Sequence, residues 1–322
     1  MKHIIKFFFL VLIFNSSLVY SQNWPTKPVK IIAPSTPGGP PDVYARALAD
    51  IFTKTLGQPF IVDNMPAAGG MIAAQSILKA TNDGYALLVN TAGMMTITPS
   101  ANISAKYFPA DFTQICQGVS ASLVLAVHPI LNIKNFAELV KWLKDQKVRP
   151  TYSSYSIGSP AHLLGYELSQ LLGVEMIHVP YKSTPQQLTD MLSAVSPLGF
   201  VQIATASPSI KAGKIIPLAT TSESRSIDFP NVPSISEVGY PQLVTTVWFG
   251  LSGPKNLSPL ITKKLIDLHQ QMTNSSEFES RMLNSGMVVT KNICGDIFTS
   301  KMQRELDNWS KVIGAAGFVA DN

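Results

Sequence analysis

Residues 29–52 read VKIIAPSTPGGPPDVYARALADIF and decide the fold. The apolar run at the start predicts a buried strand, and the loop rich in Pro and Gly that follows predicts a turn. The rest predicts a helix with Asp42 as a candidate N-cap, because apolar residues recur there at helical spacing: Tyr44, Leu48, Ile51 and Phe52. A strand that runs through a glycine-rich loop into a helix is the repeating unit of a parallel α/β sheet.

The same alternation continues along the chain and restarts once. The first unit adds predicted strands at residues 59–63 and 85–90 around a helix at 71–80. The second unit has strands at 123–127, 151–154, 176–180, 199–203 and 215–219, and helices at 135–146, 159–172 and 184–195. A strand at 244–251 and helices at 259–272, 277–283 and 296–314 follow. We therefore expect right-handed crossovers and two α/β domains: domain 1 from residues 22–122 and 247–322, and domain 2 from residues 123–246.

The first 21 residues have the pattern of a secretory signal peptide. Lys2 and Lys6 form a basic start, residues 7–14 are apolar but too short to span a bilayer, and small residues precede a cleavage site before Gln22. An uncleaved membrane anchor is the alternative. No later stretch has enough unbroken apolar residues for a transmembrane helix, so we predict export and a periplasmic location.

Charge and cysteine content exclude several classes of protein. The formal net charge is +5, of which Lys2 and Lys6 account for two, and the other basic residues are scattered, which argues against nucleic-acid binding. Cys116 and Cys294 are compatible with one disulfide in an oxidising compartment or with two buried thiols. Their spacing is not that of metal ligands, and we expect neither a metal nor a cofactor.

Short segments at the predicted strand ends are the candidate ligand site. Ligands of open parallel sheets lie beyond the carboxyl ends of the strands. This rule selects five segments rich in small or hydroxyl residues, at 35–39, 91–93, 154–159, 181–184 and 204–205. Several lead into a helix, whose free N–H groups and partial positive charge favour a carboxylate or phosphate. Ordinary turn and capping chemistry is the alternative for each loop taken alone.

Motifs for catalysis are absent from the sequence. Neither a G-x-G-x-x-G dinucleotide fingerprint nor a phosphate-binding P-loop is present. Ser159 and His162 are three residues apart at a helix start, but no G-x-S-x-G elbow surrounds a serine. We interpret Ser159 as a helix cap and His162 as a packed or ligand-adjacent residue, and we expect no enzyme activity.

Motifs in a shared order cover nearly all of the chain after residue 21 and carry a resemblance to a known family. They are Trp24 to Val29, Ile32 to Gly39 with Asp42, Gly57 to Pro59, Val62 to Gly70, Asp83 to Tyr85, Asp111-Phe112, Tyr152 to His162, His178 to Lys182, Ile210 to Lys214, Thr221-Ser222 with Arg225-Ser226, and Trp248 with Gly250-Leu251. In these motifs the chain resembles the Bug receptors, the TctC-like periplasmic binding proteins of tripartite tricarboxylate transporters.

The resemblance implies a fold and a site. The fold is a two-domain α/β clamshell of the type II-like periplasmic binding proteins, each domain a mainly parallel sheet flanked by helices. A ligand carboxylate would lie between the domains. The resemblance and the strand-end rule together predict these ligand-binding residues: Ser35, Thr36, Pro37, Gly38, Gly39, Thr91, Ala92, Ser154, Tyr155, Ser156, Gly158, Ser159, His162, Asp190 and Thr205.

The expected function is capture of a small carboxylate and its delivery to integral-membrane transporter subunits, by a receptor that is a monomer. The carboxylate could be a di- or tricarboxylate, an acidic amino acid or an aromatic acid. Ser156 and Ser183 stand where the family usually has Gly, and residues 92–104 also differ, which leaves the ligand open. A receptor that signals to a sensor partner, and a secreted Ser/His hydrolase, are the alternative functions.

Overall fold

The computed structural model describes residues 24–102, 104–226 and 228–316. The first part of the chain contains β1 (Val29–Ala33), α1 (Pro40–Leu56), β2 (Phe60–Asn64), α2 (Met71–Leu78), β3 (Ala86–Thr91) and α3 (Thr98–Ala101). A π-helical turn at Gly93–Ile97 leads directly into α3. The sequence predicts these strands and helices except for the π-helical turn and α3.

The middle and final parts of the chain supply the remaining elements. The middle contains β4 (Phe112–Val127), α4 (Phe136–Lys144), β5 (Thr151–Ser154), α5 (Pro160–Leu172), β6 (Ile177–Pro180), α6 (Thr184–Leu192), β7 (Leu198–Gln202), α7 (Ile203–Lys211) and β8 (Ile216–Thr220). The end contains β9 (Thr246–Pro254), α8 (Pro259–Thr273), α9 (Ser276–Asn284), β10 (Val288–Val289) and α10 (Gly295–Ala316).

The strands form two sheets that share β4. In the first sheet β1 pairs in parallel with β2 and β3, and β9 then pairs antiparallel with both β3 and β4. In the second sheet β5 pairs in parallel with β6 and β7, and β4 pairs antiparallel with β7 and β8. We call the elements on these sheets the first lobe and the second lobe. The predicted α/β architecture is confirmed, with antiparallel strands placed where the two sheets meet.

Two segments cross between the lobes side by side. Residues 112–122 of β4 pair with β9, whereas residues 123–127 pair with β7 and β8. The chain returns to the first lobe near Thr221 and Thr245, beside β4. The Thr221 N–H donates to the Leu123 carbonyl at 2.9 Å, and the Thr245 N–H donates to the Thr221 carbonyl at 2.7 Å. The domain boundaries after residues 122 and 246 stay a prediction, and both lie at these crossings.

The first helix begins earlier than the predicted cap. Gly39 is the N-cap of α1, and Pro40 and Pro41 occupy its first two positions, where a missing N–H costs no helical hydrogen bond. Asp42 therefore lies inside the first turn. The helix ends at Gly57, whose φ of 71° is the left-handed conformation that glycine adopts without steric cost.

Cys116 and Cys294 form a disulfide, with Cα atoms 4.0 Å apart. This resolves the two alternatives that the sequence leaves open. The bond ties β4 to the segment before α10 across a sequence separation of 178 residues. His269 lies within 4.8 Å of both sulfurs, but the disulfide consumes the thiolates that a metal ion would require.

Replacing both cysteines by alanine is predicted to lower the free energy of unfolding by about 3–5 kcal/mol, because the cross-link closes a long loop in the unfolded chain. Guanidinium denaturation followed by circular dichroism measures the change. The parent protein unfolded in the presence of reductant is the matched control and should show the same loss. Equal midpoints for the parent and the double variant would show that the bond adds no stability.

Candidate functional site

A cavity of about 310 Å³ lies between the two lobes at the carboxyl ends of β1, β3, β5 and β6. The predicted residues that line it are Ser35, Gly39, Thr91, Ala92, Tyr155, Ser156, Gly158 and Ser159. The predicted residues outside the lining are Thr36, Pro37, Gly38, Ser154, His162, Asp190 and Thr205. The structure thus brings loops from both lobes together, and ligand binding by these residues stays a prediction.

Several lining residues were not in the predicted set. The first lobe adds Pro34, Pro40, Pro41, Ala67, Gly69, Gly70, Gly93, Met94, Val247 and Phe249. The second lobe adds Ile157, Pro160, Pro180, Tyr181, Lys182, Ser183, Thr184 and Gln202. The strand-end rule selects the segments that contain Gly93 and Tyr181–Thr184. No local signal in the sequence identifies Val247 and Phe249, because they reach the cavity through the long-range pairing of β9.

Glycines allow a close contact between the lobes beside the cavity. A Cβ atom at Gly93 would lie 3.2 Å from the Gly158 carbonyl oxygen and 3.2 Å from Pro160 Cδ. A Cβ atom at Gly69 would lie 3.1 Å from the Ile157 carbonyl oxygen. The two backbones therefore approach more closely than larger residues would allow, and Gly69, Gly93 and Gly158 also line the cavity.

The loop between β1 and α1 is held by a buried carboxylate. Asp42 accepts hydrogen bonds at 2.9 Å from the Gly38 N–H, Arg46 Nε and Asn64 Nδ2. Burial raises the pKa of Asp42, but these hydrogen bonds outweigh it and hold the pKa below its usual value. The Gly38 N–H, which the sequence suggested would face a ligand, is therefore directed at Asp42.

The loop between β5 and α5 is also bonded internally. Ser154 Oγ and Ser159 Oγ donate to the Ser156 carbonyl at 2.9 and 2.7 Å. The N–H of His162 donates to Ser159 Oγ at 3.3 Å, and the Gly158 N–H donates to Nδ1 of the His162 ring at 3.2 Å. Ser159 is a helix cap, as the sequence predicts. The Ser159 hydroxyl therefore does not donate to the His162 imidazole, as it would in a nucleophile beside its base.

Two histidines stack behind that loop. The rings of His162 and His178 have centroids 3.6 Å apart and are inclined by 9°. Burial, together with the charge that His178 would carry, lowers the pKa of His162 to about 3. Burial lowers the pKa of His178 to about 4. Both rings are therefore neutral near pH 7, and Nδ1 of His162 accepts the Gly158 N–H.

Tyrosines and a glutamine complete the second-lobe wall. Tyr181 donates its hydroxyl to Asp190 Oδ2 at 2.9 Å, so Asp190 supports the cavity from behind Tyr181. Thr184 Oγ1 donates to Gln202 Oε1 at 2.8 Å. Burial raises the pKa of Tyr155, while interactions with Gln202, Ser159 and the Ala161 amide offset part of the rise. Tyr155 therefore keeps its proton at neutral pH.

Sequence and structure comparisons identify the family. The family described as "Tripartite tricarboxylate transporter family receptor" matches residues 44–318. The chain belongs to this family. Protein BugT of Bordetella pertussis is 32% identical over 249 residues, which are 76% of this chain and 75% of BugT. An Agrobacterium vitis UPF0065 protein is 30% identical over 302 residues, covering 92% of this chain and 86% of the relative.

Solved structures agree with this membership. The periplasmic binding protein BugD matches with a TM-score of 0.86 and 28% identity, over 92% of this chain and all of BugD. An R. palustris protein solved with adipate matches with a TM-score of 0.88 and 27% identity, over 92% of this chain and 99% of that one. MatC from Rhodopseudomonas palustris, solved with bound malate, has a TM-score of 0.84 and 25% identity, over 90% of this chain and all of MatC. The predicted binding-protein fold and receptor family are confirmed, and membership of a receptor family supports the expectation that the chain is not an enzyme.

The stacked histidines predict a loss of stability in acid. Each folded-state pKa lies below the usual value near 6.5, so between about pH 6.5 and the folded pKa the unfolded chain binds more protons. The contribution of these histidines to the free energy of unfolding is fully present above about pH 6.5. It decreases as the pH is lowered, by about 1–2 kcal/mol per histidine at about pH 5. The His178→Gln variant should show a shallower fall in denaturation midpoint from about pH 7 to about pH 5 and the same behaviour as the parent above about pH 7. An equal fall in the denaturation midpoints of the parent and the variant between about pH 7 and about pH 5 would contradict this prediction.

Proposed function

We propose that this chain is a periplasmic solute-binding receptor that captures a small carboxylate in the cavity between its lobes and passes it to a membrane transporter. The observation that carries the proposal is the cavity at the strand ends of both lobes, in a chain of the tripartite tricarboxylate transporter receptor family. The solved relatives that contain adipate and malate support a carboxylate as the ligand class.

Capture would depend on closure of the lobes. Two neighbouring crossings join the lobes, and the cavity lies between the sheets that they connect. Such a connection permits hinge closure around a ligand, which then contacts polar groups from both sides. The glycine contact between Gly93 and Gly158 is one of the places where the lobes meet, together with an apolar cluster that includes Ile97 and Leu163.

Localisation and partners are part of the proposal. The predicted signal peptide, residues 1–21, lies outside the described residues. Within the described residues, no helix combines the length and the apolar character needed to cross a bilayer. Receptors of this family serve a tripartite transporter. We therefore propose an exported protein that acts as a monomer and meets integral-membrane transporter subunits in its ligand-bound form.

A thermal-denaturation screen tests the ligand class. Carboxylates that include adipate and malate should raise the melting temperature, because a ligand present at 100 times its Kd stabilises the folded state by about 2.7 kcal/mol. Neutral amides of the same acids are the control and should give no shift. If no carboxylate stabilises the protein, the proposed function is wrong.

Gly93→Val is predicted to weaken carboxylate binding at least about tenfold while the chain still folds. Its Cβ would meet the Gly158 carbonyl and Pro160 at 3.2 Å, so the larger side chain would hold the lobes apart. Gly314→Val is the matched control, because no atom lies within 4 Å of a Cβ at that exposed helical position. Calorimetric titration with the best carboxylate of the screen gives both affinities. Parent-like affinity in Gly93→Val would show that binding needs no close approach at this contact.

A further inference from the structure

A small apolar cluster joins the two lobes beside the cavity. Its four buried members and the two partly buried residues that pack against them are Ile97, Ala101, Leu163, Ile313, Ile157 and Trp309. Leu163 lies in the first turn of α5 and Ile157 in the loop before it, so both belong to the second lobe, and the other four come from the first lobe and from α10. We call these six residues the interlobe clasp. The clasp is distinct from the larger apolar clusters of the described residues.

The helix α10 carries two members of the clasp and is fixed to the first lobe. Near its start, the ring of Phe298 packs edge-on against Trp248 of β9, with the ring centroids 5.2 Å apart. Further along, Glu305 Oε2 accepts a hydrogen bond from Trp248 Nε1 at 2.7 Å. Because the first part of the helix is anchored in this way, its last turns are held where Trp309 and Ile313 meet the clasp.

The clasp lies next to the cavity wall. Ile157 both lines the cavity and packs in the clasp. A Cβ atom at Gly158, which also lines the cavity, would lie 3.9 Å from Ile97 Cγ2. Separating the lobes to admit a ligand would therefore split the clasp and expose its apolar side chains to water, which is unfavourable.

We infer that the interlobe clasp holds the lobes closed over the cavity in the ligand-free protein and thereby raises the affinity for the ligand. Neither Leu163 nor Ile313 is among the described residues that line the cavity, so both are positioning residues that act through the position of the lobes. A ligand that binds the closed form has an apparent Kd that rises as the closed fraction falls. Only this effect on affinity rests on the proposed function.

Small-angle X-ray scattering of the ligand-free protein tests the closure. Leu163→Ala should increase the radius of gyration, because the truncated side chain weakens the packing of the closed form more than that of the open form, in which the residue is already exposed. Leu168→Ala is the matched control, since Leu168 lies on the same helix, is equally buried at 1% exposure and belongs to a different apolar cluster. Its radius of gyration should equal that of the parent.

Calorimetric titration with the best carboxylate of the screen tests the effect on affinity. Leu163→Ala and Ile313→Ala should each raise the Kd roughly fivefold to twentyfold, because each lowers the closed fraction. Met302→Ala is the control for Ile313→Ala, because Met302 lies on α10, is fully buried and packs among first-lobe residues. Its Kd should equal that of the parent. Circular dichroism checks that every variant is folded.

The double variant Leu163→Ala/Ile313→Ala tests whether the two side chains act through one contact. Residues that share a contact have effects that do not add, so the Kd of the double variant should be close to that of the weaker-binding single variant. If the two effects on Kd multiply, the residues act independently and the clasp is not a unit.

The outcomes separate the inference from the proposed function. The inference requires both effects, so an unchanged radius of gyration in Leu163→Ala, or clasp variants that bind as tightly as their controls, overturns it and leaves a carboxylate receptor in place. If no carboxylate binds the parent protein, the proposed function is wrong. The scattering comparison then still decides whether the clasp closes the lobes.

Discussion

The pairing of β4 with two different sheets is the constraint on which the rest of the structure depends. The first two-thirds of this strand pairs with β9 in the first lobe, and its last five residues pair with β7 and β8 in the second. Each lobe is therefore built outward from one end of the same strand. The carboxyl ends of the parallel strands in the two lobes consequently face one another, and the cavity lies between them.

Local patterns account for the parts of the fold that the sequence predicts. The strand, loop and helix at residues 29–56 were predicted because alternation and helical periodicity are properties of neighbouring residues. The full extent of β4 was not predicted, because residues 112–122 are identified as a strand only by their pairing with β9, more than a hundred positions away. The helix α7 was missed for a related reason: Pro208 lies inside it, and proline normally argues against a helix interior.

The same distinction applies to the candidate site. The strand-end rule found loops from both lobes that line the cavity, because it depends only on the direction of parallel strands. It could not show where the N–H groups of those loops point. Asp42 comes from within α1 to accept the Gly38 N–H, and His162 accepts that of Gly158. Only the folded structure reveals that these two N–H groups are bonded within the protein, while the start of α6 lies in the cavity wall without a side-chain cap.

The order of the lobes along the chain has a consequence for biogenesis. The second-lobe sheet uses a contiguous stretch, from the end of β4 to β8, whereas the first-lobe sheet needs β9 and β10 from the last third of the chain. A polypeptide that emerges from a secretion channel amino end first can complete the second lobe while the first is still missing strands. The first lobe, and the cysteine pairing within it, must wait until residue 294 has emerged. An arrest of translocation before that point would leave a half-built sheet with an open edge, the kind of surface that quality-control proteases and chaperones bind.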